Sequence, residues 1–413
     1  MNKNIKLAVA GAVLALSASA NAGIVIPAGE WTLDVNGNVN AFANFTKLKG
    51  STDTINGGLA SARTSYEDTA IGINTGLLPA WLGFTGKTRQ NDVDVEFTIS
   101  MQPNVSDQGG AAHGDSSTPL NRQAYLSFGD KTWGSIKLGK DIGVFASDAI
   151  LNDMTLLGVG AGAMASGGAT TLGGIGSGYI YAAWKGQATY TTPNFNGFQV
   201  SVGIFNPNQA SKAAGIGHDT VAGNTGGTLA AASGAALQDR FGLEGKASYT
   251  FAADNFSGKV WASGASYDIT YNAAGAAYTA SAADLGANIN AGNVGLTGYY
   301  YTGEGVGTTI FGQLGSTSAG AKRDSDGGYL QATYILPTKT KLGLAYGVSK
   351  LDMATGDTAA TLVRDNERIT LGLYHPLTKH LNLVAEYNDV SSKTHTSVER
   401  DNKTGSLGAI LFF

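Results

Sequence analysis

The chain has 413 residues, with 59 Gly, 8 Pro and no Cys, which excludes disulfides, Cys-based metal sites and thiol nucleophiles. Charged residues make up 14% of the chain, against about 25% in an average globular protein. The formal net charge is −4, and this acidic balance gives no support for a nucleic-acid partner.

The N-terminus has the three parts of a secretory signal peptide. Two lysines precede an apolar run at 7–16, and a cleavage sequence of the A-x-A type ends at Ala22. The apolar run is shorter than the roughly 20 residues of a membrane-spanning helix. We therefore expect residues 1–22 to be a signal peptide and residues 23–413 to form the mature protein.

Alternating apolar and polar residues then indicate strands along the chain. In "WTLDVNGNVNAFANF" (31–45) the odd positions are mostly apolar and the even positions mostly polar, which is the period of a strand with two different faces. In "DVDVEFTISMQ" (92–102), Val95 and Phe97 share the apolar face while Asp94 and Glu96 share the polar one. No stretch of comparable length has the apolar spacing of a helix.

Short and mostly long connections alternate between the predicted strands. The sixteen predicted strands are 31–46, 80–87, 92–102, 121–128, 134–140, 180–190, 198–206, 240–251, 257–271, 278–291, 294–302, 327–336, 341–350, 367–374, 381–390 and 404–413. An even strand number with short turns at one end and long loops at the other is typical of bacterial outer-membrane barrels.

We therefore predict an all-β fold, a 16-stranded antiparallel transmembrane β-barrel whose apolar face contacts outer-membrane lipid. A closed barrel pairs every backbone group, as the hydrocarbon of a bilayer requires. The alternative is a soluble secreted β-sandwich or solenoid, which would need larger apolar side chains on its inner face than the many Gly and Ala found here.

Several segments resemble those of general porins from the outer membranes of Gram-negative bacteria. These segments, in chain order, are "NRQAYLSFGDKTWGSIKLGKD" (121–141), "YTTPNFNGFQVSVGIF" (190–205), "YILPTKTKLGLAY" (334–346), "YHPLTKHLNLVAEY" (374–387) and the C-terminal "SLGAILFF". The first two resemble the hairpins on either side of the porin constriction loop. The terminal Phe413 resembles the signal that the outer-membrane assembly machinery reads.

The resemblance implies a homotrimer in the cell outer membrane, reached by export through the periplasm. It also implies an inward-folded third loop, here at 141–179, that narrows an aqueous channel. On this loop the resemblance implies an acidic constriction residue at Asp153, with Asp148 and Asp141 as weaker candidates.

The opposite wall of such a channel is basic. The resemblance places Arg122 and Lys140 at basic positions, and strand alternation adds Lys185 and Lys137. Other residues expected to line the lumen are Trp81, Asn38, Asp92, Asp94 and Glu96. The chain departs from the family pattern, because Leu157 replaces a second acidic residue and Asn38, Trp81 and Ala183 stand at basic positions.

Arg122 conflicts with strict alternation. If it faces inward, Ala124 and Leu126 should also face inward, which leaves Gln123 and Tyr125 outside. Trimer contacts relax the requirement for an apolar outer face on that wall, so we keep Arg122 inward.

Catalytic and metal-binding patterns are weak. The five His residues lie in predicted loops and turns without a catalytic partner, and "GGIGSG" (173–178) lacks the Lys-Ser/Thr of a phosphate-binding loop. Asp92, Asp94 and Glu96 could hold a metal ion, but carboxylates repeated on one strand face more often line an aqueous lumen. We expect no enzyme activity, no cofactor and no metal.

The expected function is passive diffusion of small hydrophilic solutes and ions. Cleavage would remove two lysines and leave 25 basic and 31 acidic residues, a net charge of −6, so we expect a weak preference for cations. One alternative is a channel selective for a sugar or another small nutrient, guided by Trp81, Tyr179 and Tyr181. Another is a barrel that acts mainly as an adhesin or structural anchor.

Overall fold

The computed structural model describes residues 23–103, 105, 120–163, 170–206, 240–270, 277–317, 319–357 and 360–413. The predicted signal peptide lies outside these residues. The strands, in chain order, are β1 (Ile24–Ala28), β2 (Trp31–Gly50), β3 (Thr69–Asn74), β4 (Trp81–Gln90), β5 (Val93–Gln102), β6 (Leu120–Asp130), β7 (Gly134–Ile142), β8 (Trp184–Thr191), β9 (Phe198–Phe205), β10 (Gly242–Ala253), β11 (Phe256–Thr270), β12 (Ala277–Ala291), β13 (Val294–Glu304), β14 (Asp324–Ile335), β15 (Lys341–Leu351), β16 (Val363–Pro376), β17 (Leu381–Thr394) and β18 (Glu399–Phe412).

Helical structure in the described residues is short. The helix α1 (Ser147–Leu151) and a 3₁₀ turn (Met154–Leu157) lie between β7 and β8. No helix in the described part of the chain is long and apolar enough to cross a membrane.

The strands close into one antiparallel barrel. From β4 onward each strand pairs with the next, and β18 pairs with β2 from Arg400↔Gly50 to Phe412↔Asn38. The strands β3 and β4 lie one after the other along the same edge of β2 and together occupy one position. The short β1 pairs with the start of β2 beyond the end of β18. The wall thus has sixteen strand positions, which confirms the predicted all-β, 16-stranded fold.

The two faces of the wall alternate as the sequence predicts. On β2, Val39 and Phe45 are exposed and apolar, whereas Asn40 and Asn44 are buried. The same holds for other strands: exposed apolar side chains form an outer face, and the polar side chains between them form the inner face. This pattern is that of a membrane barrel.

Tight turns join the strands at one end of the barrel. Gly292, with a φ of +56°, and Asn293 connect β12 and β13, and glycine takes this left-handed conformation without strain. Asn91 and Asp92, between β4 and β5, also have positive φ values of 48° and 61°. Two residues with positive φ are what a type I′ hairpin turn requires.

Several predicted boundaries are wrong: β1 was not predicted, and β16 and β18 begin four and five residues before the predicted starts at 367 and 404. The predicted strands at 31–46 and 80–87 leave 47–79 as a loop, but Thr69–Asn74 form β3, a six-residue strand too short to stand out from its surroundings. The strand predicted at 180–190 begins only at Trp184. Residues just before it contact other connections instead, since the Tyr181 N–H donates to the Thr309 carbonyl at 2.9 Å.

Three connections pack against inner-face side chains of the barrel. In the 51–68 connection, the Leu59 N–H donates to Asn366 Oδ1 at 3.0 Å and to Ser392 Oγ at 2.9 Å. In the 143–183 and 305–323 connections, Phe145 and Phe311 stack edge-on with ring centroids 6.0 Å apart. In the described residues, the largest buried apolar cluster combines the 143–183 and 305–323 connections with Leu77, Leu78 and side chains of the wall, and Leu59 packs against it.

Candidate functional site

Two wall carboxylates hold the backbone of the 143–183 segment. Glu244 Oε2 on β10 accepts the N–H groups of Val144 and Phe145 at 2.6 and 2.8 Å. Glu386 Oε2 on β17 accepts the N–H groups of Val159 and Gly160, both at 2.9 Å. Each carboxyl oxygen accepts two successive backbone N–H groups, so these contacts fix both parts of the segment against β10 and β17.

Buried ion pairs reinforce this anchoring. Lys185 on β8 pairs with Glu244 and also donates to the Tyr267 hydroxyl at 3.1 Å. Asp148 in α1 pairs with Lys259 and lies 2.8 Å from Lys246 Nζ. Burial alone would raise the pKa of Asp148, but the two lysine charges outweigh it and lower that pKa. Asp148 therefore stays ionised in a buried position.

Asp153 lies at the centre of a hydrogen-bond network. Its Oδ1 accepts the Thr155 N–H at 2.9 Å and caps the 3₁₀ turn. Its Oδ2 accepts from the Gly174 N–H and the Tyr179 hydroxyl, both at 2.9 Å, and lies 3.7 Å from Arg368 Nη2. Burial, followed by the charge of Asp153, raises the pKa of Tyr179 well above its ordinary value, so this hydroxyl remains a donor.

The geometry of Asp153 corrects its predicted role. Its side chain is only 1% exposed, so the carboxylate does not present its charge to water in a channel. It instead stabilises the fold of the 143–183 segment. Asp148 is buried in the same way by its two lysines. Their sequence position alone could not distinguish this structural role from a pore-lining one.

A cavity of about 450 Å³ lies between the 143–183 segment and the strands β2 to β8. The segment contributes apolar side chains, among them Ile150, Leu151 and Leu156. The wall contributes mainly polar side chains. The polar residues of the wall that line the cavity are Asp34, Asn36, Thr85, Lys87, Glu96, Thr98, Gln102, Arg122, Gln123, Tyr125 and Asp141.

Four of the predicted pore residues line this cavity: Trp81, Glu96, Arg122 and Asp141. The Trp81 indole donates to Asn36 Oδ1 at 3.3 Å. Glu96 lies 3.3 Å from Lys87 Nζ. Asp141 pairs with Lys137 and accepts from Gln123 Nε2 at 3.1 Å. Two of the carboxylates that line the cavity are thus paired, Glu96 with a lysine of the neighbouring strand and Asp141 with a lysine of its own strand.

A register shift explains the conflict over Arg122. Ser100 pairs with Gln123, and Met101 pairs with Asn121, so Arg122 is the extra residue of a β-bulge. A bulge lets two successive side chains lie on the same face. Both Arg122 and Gln123 therefore line the cavity, and Arg122 Nη1 donates to the Tyr181 hydroxyl at 3.4 Å.

The remaining predicted residues lie elsewhere. Lys140 lies on the exposed outer face with Leu138, opposite to Lys137 and Asp141, and donates to the Asn121 carbonyl. Asp92 is fully exposed in a hairpin turn rather than on the strand. These two predictions are wrong, because Lys140 has the wrong strand parity and Asp92 lies outside β5.

Three further candidates face inward without lining the cavity. Asp94 pairs with Arg89 at 2.8 Å near the tight-turn end of the barrel. Asn38 is buried and donates to the Pro79 carbonyl at 2.9 Å, which fixes the break between β3 and β4. Lys185 is held by Glu244, as described above.

Sequence reasoning missed the contribution of the 305–323 connection. Its Ile310 lines the cavity, and its Phe311 packs 4.6 Å from the ring of Tyr267, centroid to centroid. The apolar stretch "GVGTTIF" (305–311) within a long loop was the available signal, because an exposed loop has no need of it. Lys87, the partner of Glu96, was missed too.

Comparison with known proteins agrees with this architecture. A model of the Gram-negative porin family matches residues 7–395. Among solved structures, the outer membrane channel DcaP of Acinetobacter baumannii has a TM-score of 0.68 and 15% identity, covering 95% of this chain and all of that one. OmpF of Salmonella typhi, in a complex with daunomycin, has a TM-score of 0.58 and 16% identity, covering 94% of this chain and all of that one.

The trimer form of OmpT from Vibrio cholerae has a TM-score of 0.56 and 14% identity, covering 93% of this chain and 99% of that one. No curated protein matches the chain. At these identities the structural likeness concerns the fold, whereas the family model matches almost the whole sequence. The chain therefore belongs to the Gram-negative porin family.

Proposed function

We propose that this outer-membrane porin lets small hydrophilic solutes and ions diffuse passively through the cavity between the 143–183 segment and β2 to β8. The observation that supports this most is the polar wall of that cavity, enclosed by a barrel whose opposite face is apolar. Polar side chains lining a passage lower the cost of moving a hydrated solute through it.

We further propose that the 143–183 segment, with the 305–323 connection, acts as the inward-folded constriction. The segment is hydrogen-bonded to inner-face carboxylates on β10 and β17, and Tyr181 joins it to Thr309 of the second connection. These contacts support a rigid constriction that does not depend on solute binding.

A weak preference for cations is also proposed. The cavity is lined by three carboxylates and two cationic groups, a small excess of negative charge. Because charges across water are screened within about 8 Å at physiological salt, so small an excess should produce only a mild preference.

Processing and assembly complete the proposal. We propose that residues 1–22 are cleaved on export, that the apolar outer face contacts membrane lipid, and that three copies assemble as in the OmpT trimer form. The exposed apolar side chains of the outer face, such as Ile71 and Leu330, fit either lipid or a neighbouring copy.

Planar-bilayer recording on the purified protein tests the proposed function. Passive diffusion predicts repeated conductance steps that scale with salt concentration, and reversal potentials slightly on the cation side. A heat-unfolded sample is the control. A folded protein that inserts without any conductance would contradict the channel and favour an anchoring role.

A further inference from the structure

We propose that the cavity selects neutral amphipathic solutes, which have one apolar face and hydrogen-bonding groups on the opposite edge. This inference rests on the proposed channel and adds to it a class of preferred solute. It follows from the different chemistry of the two sides of the cavity.

One side of the cavity is apolar. Five side chains of the 143–183 segment and one from the 305–323 connection form most of it, namely Ile150, Leu151, Leu156, Leu172, Ile175 and Ile310, and Leu77 and Leu78 add to the apolar lining. A fully hydrated solute gains nothing by touching this strip. A solute with an apolar group buries that group against the strip and releases water, which favours its residence there.

The other side offers hydrogen bonds. Thr85 and Thr98 lie on paired strands with their hydroxyls 3.0 Å apart, and Gln123 and Tyr125 lie on the next strand. Hydroxyl and amide groups can both donate and accept, so this wall suits solutes that carry hydroxyl or amide groups.

The charges on this wall nearly balance once Lys137, the partner of Asp141, is counted, because Asp34 and Arg122 carry opposite charges and the other lining charges are paired; this favours a solute with no net charge. Lys87 pairs with Glu96, and Asp141 pairs with Lys137. A charged solute would have to displace one partner of such a pair to bind the other. Its attraction to more distant charges would be screened by salt. Gln123 Nε2 donates to Asp141 and the Tyr125 hydroxyl donates to Glu96, but an amide and a hydroxyl each have further donor or acceptor capacity that an uncharged polar group can use.

Alkyl and aryl glucosides test the inference, because they share one sugar and differ only in their apolar group. Methyl, butyl and phenyl β-glucoside are added in turn to a bilayer containing the open channel. The apolar strip predicts that current block strengthens in this order, with phenyl glucoside acting at about tenfold lower concentration than methyl glucoside because it buries more apolar area.

The variants Leu151→Asn and Leu157→Asn separate the strip from general disturbance. Both residues are partly buried in the same segment, but only Leu151 lines the cavity. We expect Leu151→Asn to lose most of the preference for phenyl glucoside and Leu157→Asn to keep it.

A conducting channel that all three glucosides block equally would overturn the inference and leave the channel intact. If Leu151→Asn left the block by phenyl glucoside unchanged, the inference would also be overturned and the channel would remain. If Leu151→Asn does not fold, the order of the three glucosides on the unmodified protein decides. Absence of any conductance would overturn the proposed function and the inference with it.

Discussion

Lys185 and Glu244 form an ion pair whose side chains are 4% and 0% exposed, and the same glutamate accepts the backbone N–H groups of Val144 and Phe145. One carboxylate thus neutralises a buried lysine of β8 and holds the start of the 143–183 segment. Removing this charge would leave the lysine without its counter-ion and would weaken the two hydrogen bonds that hold the segment.

The first prediction concerns this pair. Glu244→Gln should lower the free energy of unfolding by roughly 3–5 kcal/mol, because it leaves a buried charge without its partner. Urea unfolding of the detergent-solubilised barrel measures this. Asp254→Asn, in an exposed turn, is the matched control and should change little. Equal stability of Glu244→Gln and the unmodified protein would refute the anchoring role.

The second prediction concerns ion selectivity. Glu96→Gln removes a cavity-lining charge beside Lys87 and should shift the permeability ratio toward anions by about twofold or less, since salt screens the remaining charges. Asp153→Asn should leave the ratio unchanged, because its carboxylate is buried, and should instead raise current noise by loosening the segment. Reversal potentials in a salt gradient measure both effects. A larger shift from Asp153→Asn than from Glu96→Gln would show that Asp153 faces the channel.

The third prediction concerns the outer face. Leu285, halfway along β12, is exposed and apolar, whereas Asn288 on the same strand lies on the inner face and donates to the Thr297 hydroxyl. Leu285→Arg should destabilise the barrel in lipid by about 2–4 kcal/mol, because a residue halfway along a strand lies near the bilayer centre. Asn288→Arg should be tolerated better. Denaturant titrations of folding into lipid vesicles measure the stability of both variants. If Asn288→Arg were less stable than Leu285→Arg, the assigned strand register would be wrong.

The fourth prediction concerns acid sensitivity of the loops. Arg323 Nη2 and Nε bond the two oxygens of Asp357 at 2.6 and 2.8 Å, joining the 305–323 and 352–362 connections. The hydrogen bond from Arg323 outweighs partial burial and lowers the pKa of Asp357 below its ordinary value of 3.8. The ion pair between Arg323 and Asp357 therefore contributes fully to stability above pH 3.8. This contribution is lost as the pH falls through the lowered pKa of Asp357.

Digestion with pepsin at a series of acidic pH values tests this, with cleavage in either connection as the readout. Cleavage should increase only below pH 3.8. Asp357→Asn, which cannot form the ion pair, should be cleaved at every pH in the series. Resistance of Asp357→Asn comparable to that of the unmodified protein would mean that the pair does not hold the loops.

Strand alternation predicted the barrel because it depends only on neighbouring residues. The face of Val39 or Glu96 follows from a period of two, and lipid on one side makes that period strict. The bulge at Arg122 broke the rule, since an inserted residue cannot be recognised from parity alone. Alternation therefore predicted the faces of the long strands, except where the register shifts, and it missed the short strands β1 and β3.

The packing of the connections could not be predicted in this way. The Val159 N–H binds Glu386, 227 residues away along the chain, and Asp153 is buried by contacts with Tyr179 and Arg368. These partners are brought together only when the barrel closes, so no pattern of neighbouring residues in the sequence indicates them. The resemblance to porins predicts a constriction at 141–179, but the burial of Asp153 depends on this chain's own contacts.

The absence of native cysteine allows the position of the passage to be tested with single introduced thiols. Thr85 lines the cavity, and its partner on β5, Thr98, precedes the exposed outer-face residue Ile99. The test is to measure the single-channel conductance of Thr85→Cys and of Ile99→Cys before and after a charged thiol reagent is added. Passage between the 143–183 segment and β2 to β8 predicts a lasting fall in conductance for Thr85→Cys alone. An unchanged conductance of Thr85→Cys after confirmed labelling, or a fall for Ile99→Cys, would contradict the account.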